Sequence, residues 1–319
     1  MSLYLRSSGI VLSQLRQFII PPLTHHFHKG EAGRVVVIGG CEEYTGAPYY
    51  AAISALKTGA DLSFVICSKS ALMIKNYSPE LVVYPYLFEK SAISYGQSEA
   101  SIPSIVVLGP GLGRSKEMLQ QAEWFIEYCK ELNMPLVLDG DGLFLIGENP
   151  ALIVGHSNVV LTPNPAEFSR LLKSVVEYHN SNNENKVSIS QFKNETEEII
   201  FVSKTLGDVC IVRKGMTDII AKGDKVLECD IFNASPRRCG GQGDVLSGVI
   251  ATFCFWANRK AGGEIGHDDR MLAACYGGCL VTKKAAELAF HDHHRATTTP
   301  NIIEKIGQAF CLAFKEDDN

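Results

Sequence analysis

The chain has 319 residues, 46% of them hydrophobic and 20% charged, with a formal net charge of −5. A chain of this length forms one large domain or two small ones and buries about three quarters of the surface it exposes when unfolded. The near-balanced charge leaves no electrostatic footprint for nucleic acid or an anionic membrane, and no apolar run approaches the length needed to cross a bilayer.

Residues 1–30 contain Arg6, Arg16 and Lys29 and no acidic residue, a composition compatible with a mitochondrial targeting segment. Against that, Ile10, Val11, Leu15, Phe18 and Ile19 fall close to helical spacing and stop at Pro21-Pro22, which predicts a first helix and lead-in packed on the domain. Apolar runs then predict strands over 35–38, 62–66, 105–108, 136–138, 159–161 and 209–212. Helical patterns alternate with them, over 48–59 (Tyr49, Ala52, Ile53, Leu56), 115–133 (Met118, Ala122, Phe125, Ile126, Cys129), 270–290 and 301–314. Polar stretches at 90–104, 178–190 and 258–269 read as surface loops. This alternation predicts one α/β domain over 1–319, with a mostly parallel sheet between layers of helices. Ten cysteines occur without a CxxC pair, and several, such as Cys67 and Cys210, lie in strand-like apolar runs. They read as reduced thiols of an intracellular protein.

Just past successive strands stand Gly39-Gly40, Gly109-Pro110-Gly111-Leu112-Gly113, Asp139-Gly140-Asp141-Gly142, Thr162-Pro163-Asn164-Pro165-Ala166-Glu167 and Arg213-Lys214-Gly215. Ligands of open parallel sheets lie outside the carboxyl ends of the strands, so these turns are expected to meet there. Each alone is an ordinary turn signal; together they point to a nucleotide or phosphate site. A dinucleotide GxGxxG fingerprint fails, because Arg114 and Lys116 stand where its last glycine would fall, and no Walker-type loop is present.

The run Arg237-Arg238-Cys239-Gly240-Gly241-Gln242-Gly243-Asp244 says most about chemistry. Beyond it Val245, Leu246, Val249, Ile250 and Phe253 recur at helical spacing, so the glycines empty into a helix N-terminus whose amides and dipole favour phosphate. A carboxylate there repels phosphate, which suits Asp244 to take a proton from a substrate hydroxyl during phosphoryl transfer. The competing reading is a helix N-cap after a glycine-rich turn. Asn164 and Glu167, three apart at a helix start, are expected to share a face and offer hard oxygens to Mg²⁺; the alternative is a surface Glu in a first helical turn. His291, Asp292, His293 and His294 read as solvated surface rather than a metal site, and Cys275 and Cys279 as close helix packing rather than ligation.

As an ordered set, these turns, with Tyr44-Thr45-Gly46-Ala47-Pro48, Glu167-Phe168 and Lys214-Gly215, resemble the ATP-dependent NAD(P)H-hydrate dehydratases, a branch of the ribokinase-like superfamily. Gly140 departs from the alanine usual in that family. The resemblance implies a three-layer α/β/α fold and the repair of hydrated NADH and NADPH at the expense of ATP. It implies that Asp244 is the base facing the hydroxyl and that Gly240, Gly241, Gln242 and Gly243 hold the transferring phosphoryl group. Lys214, Gly215, Met216, Thr217 and Asp218, with Ala234, Ser235, Pro236, Arg237, Arg238 and Cys239, would line the ATP. Gly113 and Asn164, Pro165, Ala166, Glu167, Phe168, Ser169 and Arg170 would hold the hydrate, Glu167 also organising Mg²⁺. The implied partners are small molecules, with no nucleic acid and no membrane; a homo-oligomer is left open. The expected location is the cytoplasm, with the mitochondrion as the alternative. Two rival readings stand beside this one: a related kinase that stops at a phosphorylated vitamin precursor or sugar alcohol, and a nucleotide-binding regulator without turnover.

Overall fold

A computed structural model describes residues 8–25, 28–87, 103–230, 235–259 and 265–314. Its strands are β1 (Arg34–Ile38), β2 (Leu62–Ile66), β3 (Val82–Tyr84), β4 (Ile105–Leu108), β5 (Leu136–Leu138), β6 (Val159–Leu161), β7 (Cys210–Arg213), β8 (Asp218–Lys222) and β9 (Lys225–Cys229). They form one nine-stranded sheet in the order β3-β2-β1-β4-β5-β6-β7-β8-β9. Pairing is parallel from β3 through β7, and β8 and β9 extend the sheet as an antiparallel hairpin. The order reverses at β1, which has β2 on one side and β4 on the other, the topological switch at which such sheets bind ligands.

The helices are α1 (Ser8–Gln14), α2 (Gly46–Thr58), α3 (Lys116–Glu131), α4 (Asp141–Glu148), α5 (Pro165–Asn182), α6 (Glu195–Thr205), α7 (Gln242–Arg259), α8 (His267–His293), α9 (Thr299–Glu304) and α10 (Ile306–Phe314). Strands such as Arg-Val-Val-Val-Ile (β1) and Ile-Val-Val-Leu (β4) are apolar throughout because helices cover both faces of the sheet. Successive side chains alternate between the layers. Val35, Val37, Ile105, Val107 and Val137 meet α1, α2 and α7 to α10, whereas Val36, Ile38, Val106, Leu108 and Leu136 meet α3 to α6.

The six expected strands appear, each to within one residue at either end. Three more were not foreseen: the three-residue edge strand β3, and the hairpin β8–β9, whose short strands begin or end on Asp218, Lys222 and Lys225. The loop expected at 178–190 is corrected, since α5 runs on to Asn182. There Ser181 and Asn182 donate back to the carbonyls of Glu177 and Tyr178, so polar composition marks a solvated helix end. Likewise Asn258 and Arg259 end α7 and 267–269 begin α8; residues 260–264, like most of the loop expected at 90–104, lie outside the described residues. The last predicted helix is two, divided at Lys305.

The first helix forms and continues as a π turn through Leu15–Ile19, burying Val11, Leu15 and Ile19 against α8. Apolar residues spaced by four drift around an α-helix of 3.6 residues per turn, and the wider π turn returns them to one face. All ten cysteines are free thiols. Cys210 lies 3.5 Å from Cys275, and Cys254 3.9 Å from Cys275, in the layer between the sheet and α7 and α8. The histidine run at the end of α8 is exposed, as expected.

Candidate active site at the carboxyl edge of the sheet

The turns that follow β1, β4, β5, β6 and β7 meet. The Gly40 amide donates to Gly111 O at 3.0 Å, the Gly113 amide to Asp141 Oδ2 at 2.9 Å and the Lys214 amide to Pro163 O at 2.8 Å. At their centre Lys214 Nζ donates to Asp139 Oδ1 at 2.9 Å and lies 4.0 Å from Glu167 Oε2. Asp139 is the first residue past β5, and its side chain is 4% exposed. Burial would pull the Lys214 pKa down, but the carboxylates of Asp139, Glu167 and Asp244 together outweigh it and hold the ammonium above its ordinary value.

Asn164 and Glu167 serve each other differently from the expectation. Asn164 is the N-cap of α5, not part of a shared helical face: its Oδ1 accepts from the Glu167 amide at 2.9 Å, while Glu167 Oε2 accepts from the Asn164 amide at 2.8 Å. This capping box satisfies two orphan amides at the helix start and locks the Glu167 carboxylate beside Lys214.

The glycine turn before α7 completes the centre. Gly241 has φ +95°, and a Cβ there would lie 2.6 Å from the Tyr50 ring and 3.1 Å from the Thr299 methyl group, so only glycine fits. Thr299 Oγ1 in turn donates to Gly240 O. A Cβ on Gly243 would lie 3.2 Å from Lys214 Nζ and 3.7 Å from Asp139 Oδ2, which puts the turn directly against that ion pair. Asp244 is the third residue of α7 and therefore not its cap. Burial first, then repulsion by the Asp139 carboxylate, push its pKa up to about 7 against the pull of the Lys214 ammonium. A carboxyl group poised there exchanges a proton readily at neutral pH.

A cavity of about 560 Å³ opens beside this centre. Of the residues expected at the ATP, Lys214, Gly215, Met216, Asp218, Ser235, Arg238, Cys239, Gln242 and Gly243 line it, joined by Asn164 and Pro165. Thr217, Pro236, Arg237, Gly240 and Gly241 flank the lining turns without bordering the cavity, and Ala234 lies outside the described residues. The Phe168 side chain is 1% exposed, packed in the core beneath Arg213, so a substrate could meet this residue only through its backbone. Ser169 turns its hydroxyl back to Pro165 O, whereas Glu167 and Arg170 border a separate cavity of about 220 Å³ between α4 and α5. The sequence reading missed the wall supplied by α7, α8 and α9, namely Leu246, Cys279, Thr282, Lys283, Ala286 and Ile302. A lysine in a run of Gly, Ala, Cys and Thr, four residues past Cys279, was the available signal.

A parallel sheet with an antiparallel hairpin at one edge, helices on both faces and a glycine turn opening a helix beside a nucleotide-sized cavity define a ribokinase-like α/β protein. A ribokinase-like superfamily protein of Enterococcus faecalis superposes with a TM-score of 0.72 at 20% identity, covering 98% of this chain and 99% of its own. The ADP/ATP-dependent NAD(P)H-hydrate dehydratase of Bacillus subtilis, co-crystallized with ATP/Mg²⁺, shares the fold with a TM-score of 0.65 at 22% identity over 97% and 99% of the two chains. The chain belongs to the NAD(P)H-hydrate dehydratase family, whose profile matches residues 35–308. Relatives named ATP-dependent (S)-NAD(P)H-hydrate dehydratase include proteins of Pongo abelii, 43% identical over 95% of this chain and 89% of their own, and Ciona intestinalis, 46% identical over 93% and 79%.

Proposed function

We propose that this chain is an ATP-dependent (S)-NAD(P)H-hydrate dehydratase, which returns hydrated NADH and NADPH to the reduced cofactors with release of ADP and phosphate. The observation that carries this reading is the Asp244 carboxyl group, poised near neutrality in the first turn of α7 behind an amide-rich glycine turn. With the hydrate's ring hydroxyl between Asp244 and the terminal phosphoryl group of ATP, Asp244 takes the hydroxyl proton as the new O–P bond forms and the bond to ADP breaks. Hydroxide leaves poorly, whereas phosphate leaves well. The ring nitrogen's lone pair then expels the phosphate, and an adjacent ring carbon gives up a proton to restore the reduced nicotinamide.

Amides at the start of α7 suit the charge on the transferring phosphoryl group, with Lys214 as a further cation. Glu167 is the residue that would help hold Mg²⁺, since one of its oxygens is used by the capping box and the other is left for a metal or its water. Among the described residues no group of three His, Cys, Asp or Glu side chains stands ready to hold a metal. That fits an ion held mostly by water and by the nucleotide's own phosphates. Bound there, Mg²⁺ would supply neutralisation of phosphate charge. The single continuous sheet supports one domain, and ten free thiols support a reducing compartment, the cytoplasm in this reading.

The test is an assay of purified protein with (S)-hydrate, Mg²⁺ and ATP. Reduced-nicotinamide absorbance is expected to return with one ADP released per cofactor recovered. A stable phosphorylated product without cofactor recovery would instead establish the kinase that stops halfway, and nucleotide binding without ADP release a regulator.

A further inference from the structure

One wall of the nucleotide cavity comes from α8, where the neighbours Thr282 and Lys283 each stand three or four residues from Cys279 and from Ala286, so that all four share a helix face. Lys283 is the charged member, its side chain only 13% exposed. Its Nζ donates to Met216 O at 2.6 Å and Gly215 O at 3.3 Å, and pairs with Asp218 Oδ2 at 3.2 Å. The other oxygen of Asp218 accepts from the Gly215 amide at 2.8 Å. One ammonium from a distant helix thus grips Gly215 and Met216 of the turn between β7 and β8 together with Asp218, the first residue of β8, and both grip and turn border the cavity.

We propose that Lys283 is a positioning residue for the phosphoryl donor, holding the 214–218 turn in the shape that receives the nucleotide. This rests on the reading of that cavity as the ATP site. The turn has two separately anchored ends. Lys214 at its root is fixed by its own amide on Pro163 and by Asp139, so the reacting centre stands without Lys283. The far end, Gly215 to Asp218, has its carbonyls and its carboxylate tied to Lys283. Loss of the clamp therefore acts on nucleotide affinity and leaves phosphoryl transfer, once ATP is bound, nearly intact.

The experiment is calorimetric titration with ATP and Mg²⁺, paired with steady-state kinetics, on K283M, K283R and the double variant K283M/D218N, which leaves no unpaired buried charge to threaten folding. K283M is expected to weaken ATP binding and raise the KM for ATP about tenfold, the scale of losing one charge-assisted hydrogen-bond set. Its kcat should fall less than about threefold and its KM for hydrate should not move. K283R, which keeps the positive charge, should recover part of the lost affinity, and the folded double variant should still bind ATP weakly. Wild-type ATP affinity in folded K283M or in the double variant, or a loss confined to kcat, overturns the proposal. Calorimetry needs no hydrate, so a wild-type protein that binds ATP but recovers no cofactor would sink the dehydratase reading and leave this one standing.

Discussion

Lys214 and Lys222 lie at opposite ends of one sheet and are held in opposite ways. Lys222, at the end of β8, is 2% exposed; it donates to Asp208 O at 2.7 Å and Ser157 O at 2.9 Å, with Asp268 at 3.5 Å. It ties loops together through two neutral carbonyls, and its acidic neighbour, Asp268, is largely open to water. Lys214, at the carboxyl edge, instead faces the three acids Asp139, Glu167 and Asp244. One cation cannot neutralise three carboxyl groups in a partly dry site, so one of them, Asp244, keeps its proton up to about pH 7. The structural end is electrostatically finished, and the functional end is left unbalanced until an anion, a metal and a hydroxyl arrive.

The largest effect should come from Asp244. D244N is expected to lower turnover by at least the roughly 10²- to 10⁴-fold typical of lost general-base assistance, measured at saturating ATP and hydrate. The same variant should report on stability with the opposite sign. A carboxyl pKa raised on folding contributes stability that is full below the ordinary carboxylate range and is lost as pH rises through about 7. D244N, which cannot ionise, should therefore melt higher than wild type at pH 8 and close to it at pH 4. A smaller effect should come from Lys222: K222M is expected to cost about 1–3 kcal/mol by stranding two carbonyls, read by urea denaturation, with kcat and both KM values unchanged. A kinetic defect in K222M would show that the two ends of the sheet are not separable in this way.

Much of this contrast was legible before the structure. The carboxyl-edge turns are punctuated by Gly, Pro, Asn and Asp, and topology gathers them without help from any single residue. The Gly240–Asp244 run announced a helix N-terminus, and the helix does begin there, two residues before Asp244. What sequence could not supply was long-range pairing. Asp139 reads as a turn residue until Lys214 is seen 2.9 Å away. The Asn164–Glu167 spacing announced a shared purpose but not a reciprocal cap, because the same residue types at the same spacing serve both ends. The α8 wall was hidden for a related reason: Gly277 and Gly278 are there for packing on Phe253 and Ile250, and that signal masked Lys283 on another face of the same helix.

The central claim is that Asp244, raised by burial and by Asp139, is the proton acceptor. The pH dependence of kcat/KM for the hydrate, at saturating ATP and Mg²⁺, tests it most directly. Wild-type activity should rise about tenfold per pH unit on the acid side and level off with an apparent pKa near 7, while the residual activity of D244N should lack that step. A wild-type profile flat from pH 5.5 to 8, or the same step retained in D244N, would contradict the account.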